Sequence, residues 1–346
     1  MSAVLLRWFH FLRSPKGHPY LIYFFFLSLT AGTSFALFSD YIYKEAANPD
    51  LDTYLGLSHF DFDQSPIRRY RVIVPFLAAG LHALLHPILN LMQPQHFPGP
   101  DFSMGFCFLI INNLIMAGAF LMIYELGKSL GMQSRFALLS VLFIITCRWT
   151  LYVCGLPLVD SLYFFILTAT LYAITTQNIR WTYAVMLLGP WAKESFIFVA
   201  PMLFFYGPIP KLKQIPIWIL SGALIFAFRY GYDQWAQWPV EESLQRDVAH
   251  LGFIGDSLHR LFSFHGVYEI ASIVGLGGMS FLLLLHPAIR RQWKSGVQTF
   301  QWIYLLIILW HALLSTDLAR MLYLMMPVLA LWMGQLMQLG YSFREK

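Results

Sequence analysis

The sequence predicts an all-α protein, a polytopic bundle of transmembrane helices forming a single integral membrane domain over residues 1–346. Three observations carry this expectation. Hydrophobic residues make up 58% of the chain and charged residues only 12%. The mean hydropathy is +0.58. Apolar runs of about 20 residues, the length that crosses a hydrocarbon core about 30 Å thick, recur from one end of the chain to the other. The pI near 9.0 comes from Lys and Arg dispersed between these runs, without a basic stripe. That pattern argues against a nucleic-acid partner and for membrane topology. Cys107, Cys147 and Cys154 lie inside apolar segments and show no paired or metal-ligand spacing.

Residues 1–19 are basic and aromatic and read as a cytoplasmic tail ahead of a retained first span, since the apolar run that follows lacks a small-residue cleavage site. About ten spans are expected, near 20–38, 104–126, 136–153, 158–176, 181–192, 194–207, 214–230, 267–287, 300–315 and 319–339. A first outer loop covers 39–103 and a second covers 231–266. Within the first loop, the apolar stretch 72–92 is broken by Pro75 and Pro87 and reads as an interfacial or re-entrant helix. Counting it as a full crossing would put Lys128 and Arg135 outside. Leaving it on the surface puts Lys128, Arg135, Arg180, Lys211, Lys213, Arg290, Arg291 and Lys294 inside, with both termini cytoplasmic. The segments 181–192 and 194–207 are too short to cross a bilayer and meet at Trp191, Ala192, Lys193 and Glu194. Broken helices persist where they line a cavity or are buried in protein, so an outward-facing cavity is expected there.

The densest charge lies between Phe38 and Pro75. Six carboxylates (Asp40, Glu45, Asp50, Asp52, Asp61, Asp63) precede three arginines (Arg68, Arg69, Arg71). Charge in hydrocarbon costs about 3 kcal/mol per residue, so this stretch must face water. Asp50 and Asp52 form one D-x-D and Asp61 and Asp63 another. Such pairs either chelate a divalent cation or divide the roles of base and acceptor ligand, or else are simply solvated. The arginines stand where lipid phosphates lie and present planar forks suited to phosphate, or they snorkel to ordinary headgroups. Asp160 either caps the helix after it or faces the cavity. Asp317 and Arg320 either pair with each other at i, i+3 or join the site. His82 and His86 share a helix face but lack the Glu of a zinc peptidase motif.

The D-x-Y-L of Asp52 and Tyr54, the Y-R-V-x-x-P of Tyr70, Arg71 and Pro75, and the G-x-P-x-x-D of Gly155, Pro157 and Asp160 resemble the GT-C class of integral membrane glycosyltransferases. Lys193-Glu194 and the late D-x-x-R of Asp317 and Arg320 resemble further elements of related bacterial proteins. The resemblance implies transfer of a sugar from a polyprenyl-phosphate carrier to a glycan, lipid or protein acceptor. It places the reaction on the periplasmic face of a bacterial inner membrane, within cell-envelope polysaccharide biosynthesis. On that reading Asp52, Asp50 and Glu194 are the catalytic candidates. Tyr54, Arg68, Arg69, Arg71, Asp160, Lys193, Asp317 and Arg320 bind substrate. Asp61 and Asp63 are candidate ligands for Mg or Mn, should a metal serve. The competing expectation is a transporter or flippase for an anionic, lipid-linked substrate, using the same cavity without bond cleavage.

Overall fold

A computed structural model describes residues 17–44, 49–64, 68–92, 102–237, 252–315 and 317–345. Most of the expected amino-terminal tail, Glu45, and parts of both expected outer loops (45–48, 65–67 and 93–101 of the first, 238–251 of the second) lie outside these residues. Among the described residues the chain is helical and has no strand.

In chain order the helices are α1 (His18–Lys44), α2 (Pro49–Ser58), α3 (Ile73–Met92), α4 (Phe102–Ser129), α5 (Ser134–Ile145), α6 (Arg148–Gly155), α7 (Asp160–Thr176) and α8 (Ile179–Ala192). A 3-10 segment (Glu194–Phe198) follows, then α9 (Ala200–Tyr206), α10 (Lys211–Trp235), α11 (Phe253–Leu261) and α12 (Phe264–Val274). A second 3-10 segment (Gly275–Leu285) continues α12, and α13 (Pro287–Gly296), α14 (Thr299–Leu313), α15 (Leu318–Leu322) and α16 (Met326–Arg344) close the chain. Five helical stretches are long and apolar enough to cross a membrane, and up to seven if each bent pair counts as one span.

The bent pairs modify the expected pattern. The stretch expected as one span over 136–153 turns by 69° between α5 and α6. Cys147 is extended there (φ −70°, ψ 135°), and the exposed polar residues Thr146 and Arg148 flank the corner. The apolar run is interrupted where those polar groups reach out of the core. Likewise α13, which carries Arg290, Arg291 and Lys294, meets α14 at 89°.

α4 is the hub. It packs against α1, α3, α5 and α7, and its Cys107, Phe108, Met116, Phe120 and Ile123 are fully buried. α16 forms the second buried helix, seated on α5. Small residues allow these close approaches. A side chain at Gly334 would begin 2.0 Å from Ser140 Oγ, and one at Gly155 would begin 2.9 Å from the Ser34 carbonyl of α1. By contrast α10 leans mainly on α8 and leaves Leu212, Ile219 and Phe226 largely exposed, as suits a face turned to lipid. The three cysteines are buried thiols.

Candidate functional site

The charged residues converge where the start of α2, the turn before α3, the start of α7, the end of α8 and the start of α15 meet. α2 begins P-D-L-D-T-Y, and its helical period turns Asp50 and Tyr54 inward while Asp52 faces out. Asp50 is 6% exposed. Its Oδ1 lies 2.5 Å from Arg68 Nε and its Oδ2 lies 2.6 Å from Arg320 Nη1. Arg71 donates from Nη1 to the Tyr54 hydroxyl at 3.0 Å. Its Nε and Nη2 donate to Glu194 Oε2 at 3.2 and 3.0 Å. The other Glu194 oxygen, Oε1, lies 3.0 Å from Arg229 Nη2. Deeper in, Lys193 Nζ lies 3.3 Å from Asp160 Oδ1, and Arg320 Nη1 lies 3.7 Å from Asp160 Oδ2.

Local structure explains how adjacent residues reach opposite partners. α8 ends at Ala192, and Lys193 takes an extended conformation (φ −166°, ψ 143°) before the 3-10 turn starts at Glu194. The break occurs where the two short expected spans were to meet. It sends Lys193 to Asp160 and Glu194 to the arginines. Asp160 opens α7 but does not cap it, since the position before it, Val159, has no side-chain cap. Its carboxylate is spent on Lys193 and Arg320 instead. Asp317 does cap α15, accepting from Arg320 N at 3.2 Å, and also pairs with Arg320 Nε at 3.3 Å.

The turn that presents Asp160 is pinned from α4. Asn112, fully buried, donates to the carbonyls of Leu156 at 3.0 Å and Leu158 at 3.1 Å, and accepts from Ser161 Oγ at 2.6 Å. A buried amide satisfied in this way fixes a backbone in which an apolar residue would leave the Leu158 carbonyl unpaired.

Five cations (Arg68, Arg71, Lys193, Arg229, Arg320) share four carboxylates (Asp50, Asp160, Glu194, Asp317). The cluster carries one positive charge in excess. Lys193 and Asp160 form its closed end, whereas the side chains of Glu194, Arg229 and Arg68 remain about 30% exposed. Burial alone would lower the Arg71 pKa, but Glu194, Tyr54 and Asp160 facing it more than offset burial and raise it. Burial pushes the Tyr54 phenol up to about 12, so it serves as a neutral group. A guanidinium cluster buried at one end and partly exposed at the other reads as an electropositive recess, and such forks suit a phosphate or another oxyanion.

Arg69 points away from this cluster. It is 1% exposed, and its Nη2 donates to Asp233 Oδ1 at 2.6 Å and to the Tyr70 hydroxyl at 2.9 Å. The Tyr70 hydroxyl in turn lies 2.7 and 2.8 Å from the two Asp233 oxygens. Asp52 is exposed and makes no ion pair among the described residues. Asp61 and Asp63 are also exposed. They line an open cavity of about 700 Å³ with Phe60, Phe62, Trp235, Ala236 and Gln237, and Asp61 Oδ2 accepts from Gln64 Nε2 at 2.9 Å. No three His, Cys, Asp or Glu side chains come together among the described residues.

Sequence reasoning passed over Arg229, Asp233 and Asn112. The first two fall at the end of an apolar run, where single charges read as snorkelling groups. Their R-x-x-x-D spacing, one helical turn apart, was the available signal. The chain matches no protein-family model, no curated protein and no solved structure.

Proposed function

We propose that this chain is an integral membrane glycosyltransferase that moves a sugar from a polyprenyl-phosphate-linked donor to a glycan, lipid or protein acceptor. The observation that carries the reading is the cationic cluster, in which Arg68, Arg71, Arg229, Arg320 and Lys193 outnumber by one the four carboxylates they hold, with Arg68, Arg229 and Glu194 partly exposed at one end. In the reaction the acceptor hydroxyl oxygen bonds to the anomeric carbon, and the bond from that carbon to the phosphate oxygen breaks. The lipid phosphate leaves as an anion held by the arginines, and a carboxylate takes the hydroxyl proton. Both Asp50 oxygens are occupied by arginines, so Asp50 orients Arg68 and Arg320. Asp52, two residues on with an open carboxylate on the outer side of α2, is the base for an acceptor that approaches from that side. Tyr54 supports Arg71, and Asp160, Lys193 and Asp317 hold the arginine frame in place. Should a metal serve, Asp61 and Asp63 are the residues that would hold Mg or Mn.

The topology that goes with this reading has about ten crossings, with α7, α8 and the Glu194–Tyr206 segment as short, partly buried ones, and α3 at the interface. Both termini are cytoplasmic, and the recess opens to the periplasmic side of a bacterial inner membrane. The test is incubation of purified protein with radiolabelled polyprenyl-phosphate sugars, comparing wild type, Asp52→Asn and added EDTA. Release or transfer of sugar by wild type and its loss in Asp52→Asn is the expected result. Donors that bind but stay intact would leave transport or flipping of the lipid as the better account. Undiminished turnover in Asp52→Asn would remove Asp52 as base, and inhibition by EDTA would bring in a metal.

A further inference from the structure

Two guanidiniums from distant parts of the chain close on one carboxylate in the recess. Arg71 takes one oxygen of Glu194 with two of its nitrogens, and Arg229 takes the other oxygen. Nothing in the packing requires this pairing to be permanent. Glu194 sits on a 3-10 turn at the helix break after α8 and its side chain is 31% exposed, so it can move to water when another anion takes its place on the arginines. The arginines have less freedom. Arg71 is 12% exposed and tied to Tyr54. Arg229 lies over the Tyr70 ring, 4.6 Å from its centroid, and that ring is fixed by its hydrogen bonds to Asp233. Asp233 is one helical turn beyond Arg229 on α10, so the same contact that holds Tyr70 also holds the helix carrying Arg229. Arg229 also keeps a buried Nε donor without a hydrogen-bond partner among the described residues, capacity that Glu194 leaves unused.

We infer that Arg71 and Arg229 form a binding subsite for a phosphate monoester, and that Glu194 is a displaceable carboxylate occupying this subsite when it is empty. The inference rests on the transferase reading for the identity of the lipid but not for the chemistry of the subsite. A carboxylate and a phosphate each present a fork of two acceptor oxygens. A phosphate offers one further oxygen, which the spare Arg229 donor can take. When Glu194 leaves, two positive charges face the incoming anion, close to the charge of the monoester itself. The resident carboxylate keeps those two partly buried arginines neutralised between ligands. It also sets a threshold against weaker anions, because a ligand must outcompete it.

The test measures binding of farnesyl monophosphate to the detergent-purified full chain, with inorganic phosphate and neutral farnesol as separate arms. Glu194→Gln removes the competing charge at nearly constant shape, and the affinity for farnesyl monophosphate is expected to rise about fivefold to tenfold. Arg229→Gln is expected to lower it by about tenfold, and Arg229→Lys, which keeps charge but loses the fork, falls between. Thermal unfolding supplies a second readout: farnesyl monophosphate raises the apparent Tm more in Glu194→Gln than in wild type. Inorganic phosphate following the same order at weaker affinity identifies the headgroup as the feature recognised. Farnesol binding as tightly as its phosphate, unchanged or weakened binding in Glu194→Gln, or unchanged binding in Arg229→Gln would each overturn the inference. A chain that binds the monophosphate through Arg229 yet leaves every sugar donor intact keeps the subsite and loses the transferase. Transfer with unaltered phosphate affinity in Arg229→Gln does the reverse.

Discussion

Replacing Asp233 with Leu tests whether the contact between the first charged turn and α10 holds the site together. In the native chain Asp233 is 5% exposed and Arg69 is 1% exposed, and the carboxylate accepts from Arg69 at 2.6 Å and lies within 2.8 Å of the Tyr70 hydroxyl. Leucine removes the countercharge and leaves the guanidinium buried. Breaking a buried pair from one side costs about 3–5 kcal/mol. In a chain of this size each kcal/mol lowers the midpoint by roughly 2 °C, so the apparent Tm should fall by roughly 6–10 °C. The assay is tryptophan fluorescence on detergent-purified protein at one fixed scan rate, because unfolding of such a chain is read as a kinetic quantity. Arg69→Leu should cost a similar amount. The double variant should be no worse than either single one, because the lone buried charge is then gone. A shift below about 2 °C in Asp233→Leu, or a double variant equal to the sum of the singles, would refute the reasoning.

Four further outcomes follow from the same geometry. Asn112→Leu strips the Leu158 carbonyl of its donor and the Leu156 carbonyl of one of its two, in the turn that presents Asp160, and should cost about 1–3 kcal/mol, read as the loss in unfolding midpoint. Gly155→Val puts a side chain against the Ser34 carbonyl of α1, where even a Cβ would begin at 2.9 Å. The helices must part, which should cost about 1–3 kcal/mol by the same measurement. Tyr54→Phe removes one hydrogen bond to a charged group and should lower stability by about 1.5–3 kcal/mol. Because burial raises the Tyr54 phenol to about 12, its contribution is complete below its ordinary value near 10 and fades as pH rises through about 12. A difference titration of wild type minus Tyr54→Phe should therefore show no tyrosinate absorbance appearing between pH 9 and 10.5.

Which parts of this arrangement were readable in the sequence depends on the range of the interaction involved. Apolar runs fix helices locally, so α1, α4, α10, α14 and α16 stand close to where hydropathy puts them. The break at Lys193 was legible because two runs too short for a bilayer met at two charges. The bend after α5 was not, since Thr146, Cys147 and Arg148 interrupt the run too briefly to move a window average. For the site, Asp50, Tyr54, Arg68, Arg71, Asp160, Lys193, Glu194, Asp317 and Arg320 were all marked by charge or motif and do come together. What one-dimensional reading cannot supply is direction. Three arginines in one short turn look equivalent, yet Arg69 is buried against α10 while its neighbours face the recess. Asp50 and Asp52 look like a pair, yet the period of α2 turns them to opposite sides. Asn112 looks like an ordinary polar interruption of α4, because its partners lie more than 40 positions away.

Because Arg69 and Asp233 stand 164 positions apart and neither is tolerable alone in its buried setting, a lineage carrying this fold can lose the pair only by changing both. Arg229 and Glu194 are bound by a looser rule, since each is partly exposed and each keeps a use when the other is absent. Among relatives of this chain, positions 69 and 233 are therefore expected to switch together between a charged and an apolar pair. Position 229 should keep its guanidinium even where position 194 drifts. The pattern of joint substitution would then separate the residues that fasten the turn from those that receive a ligand.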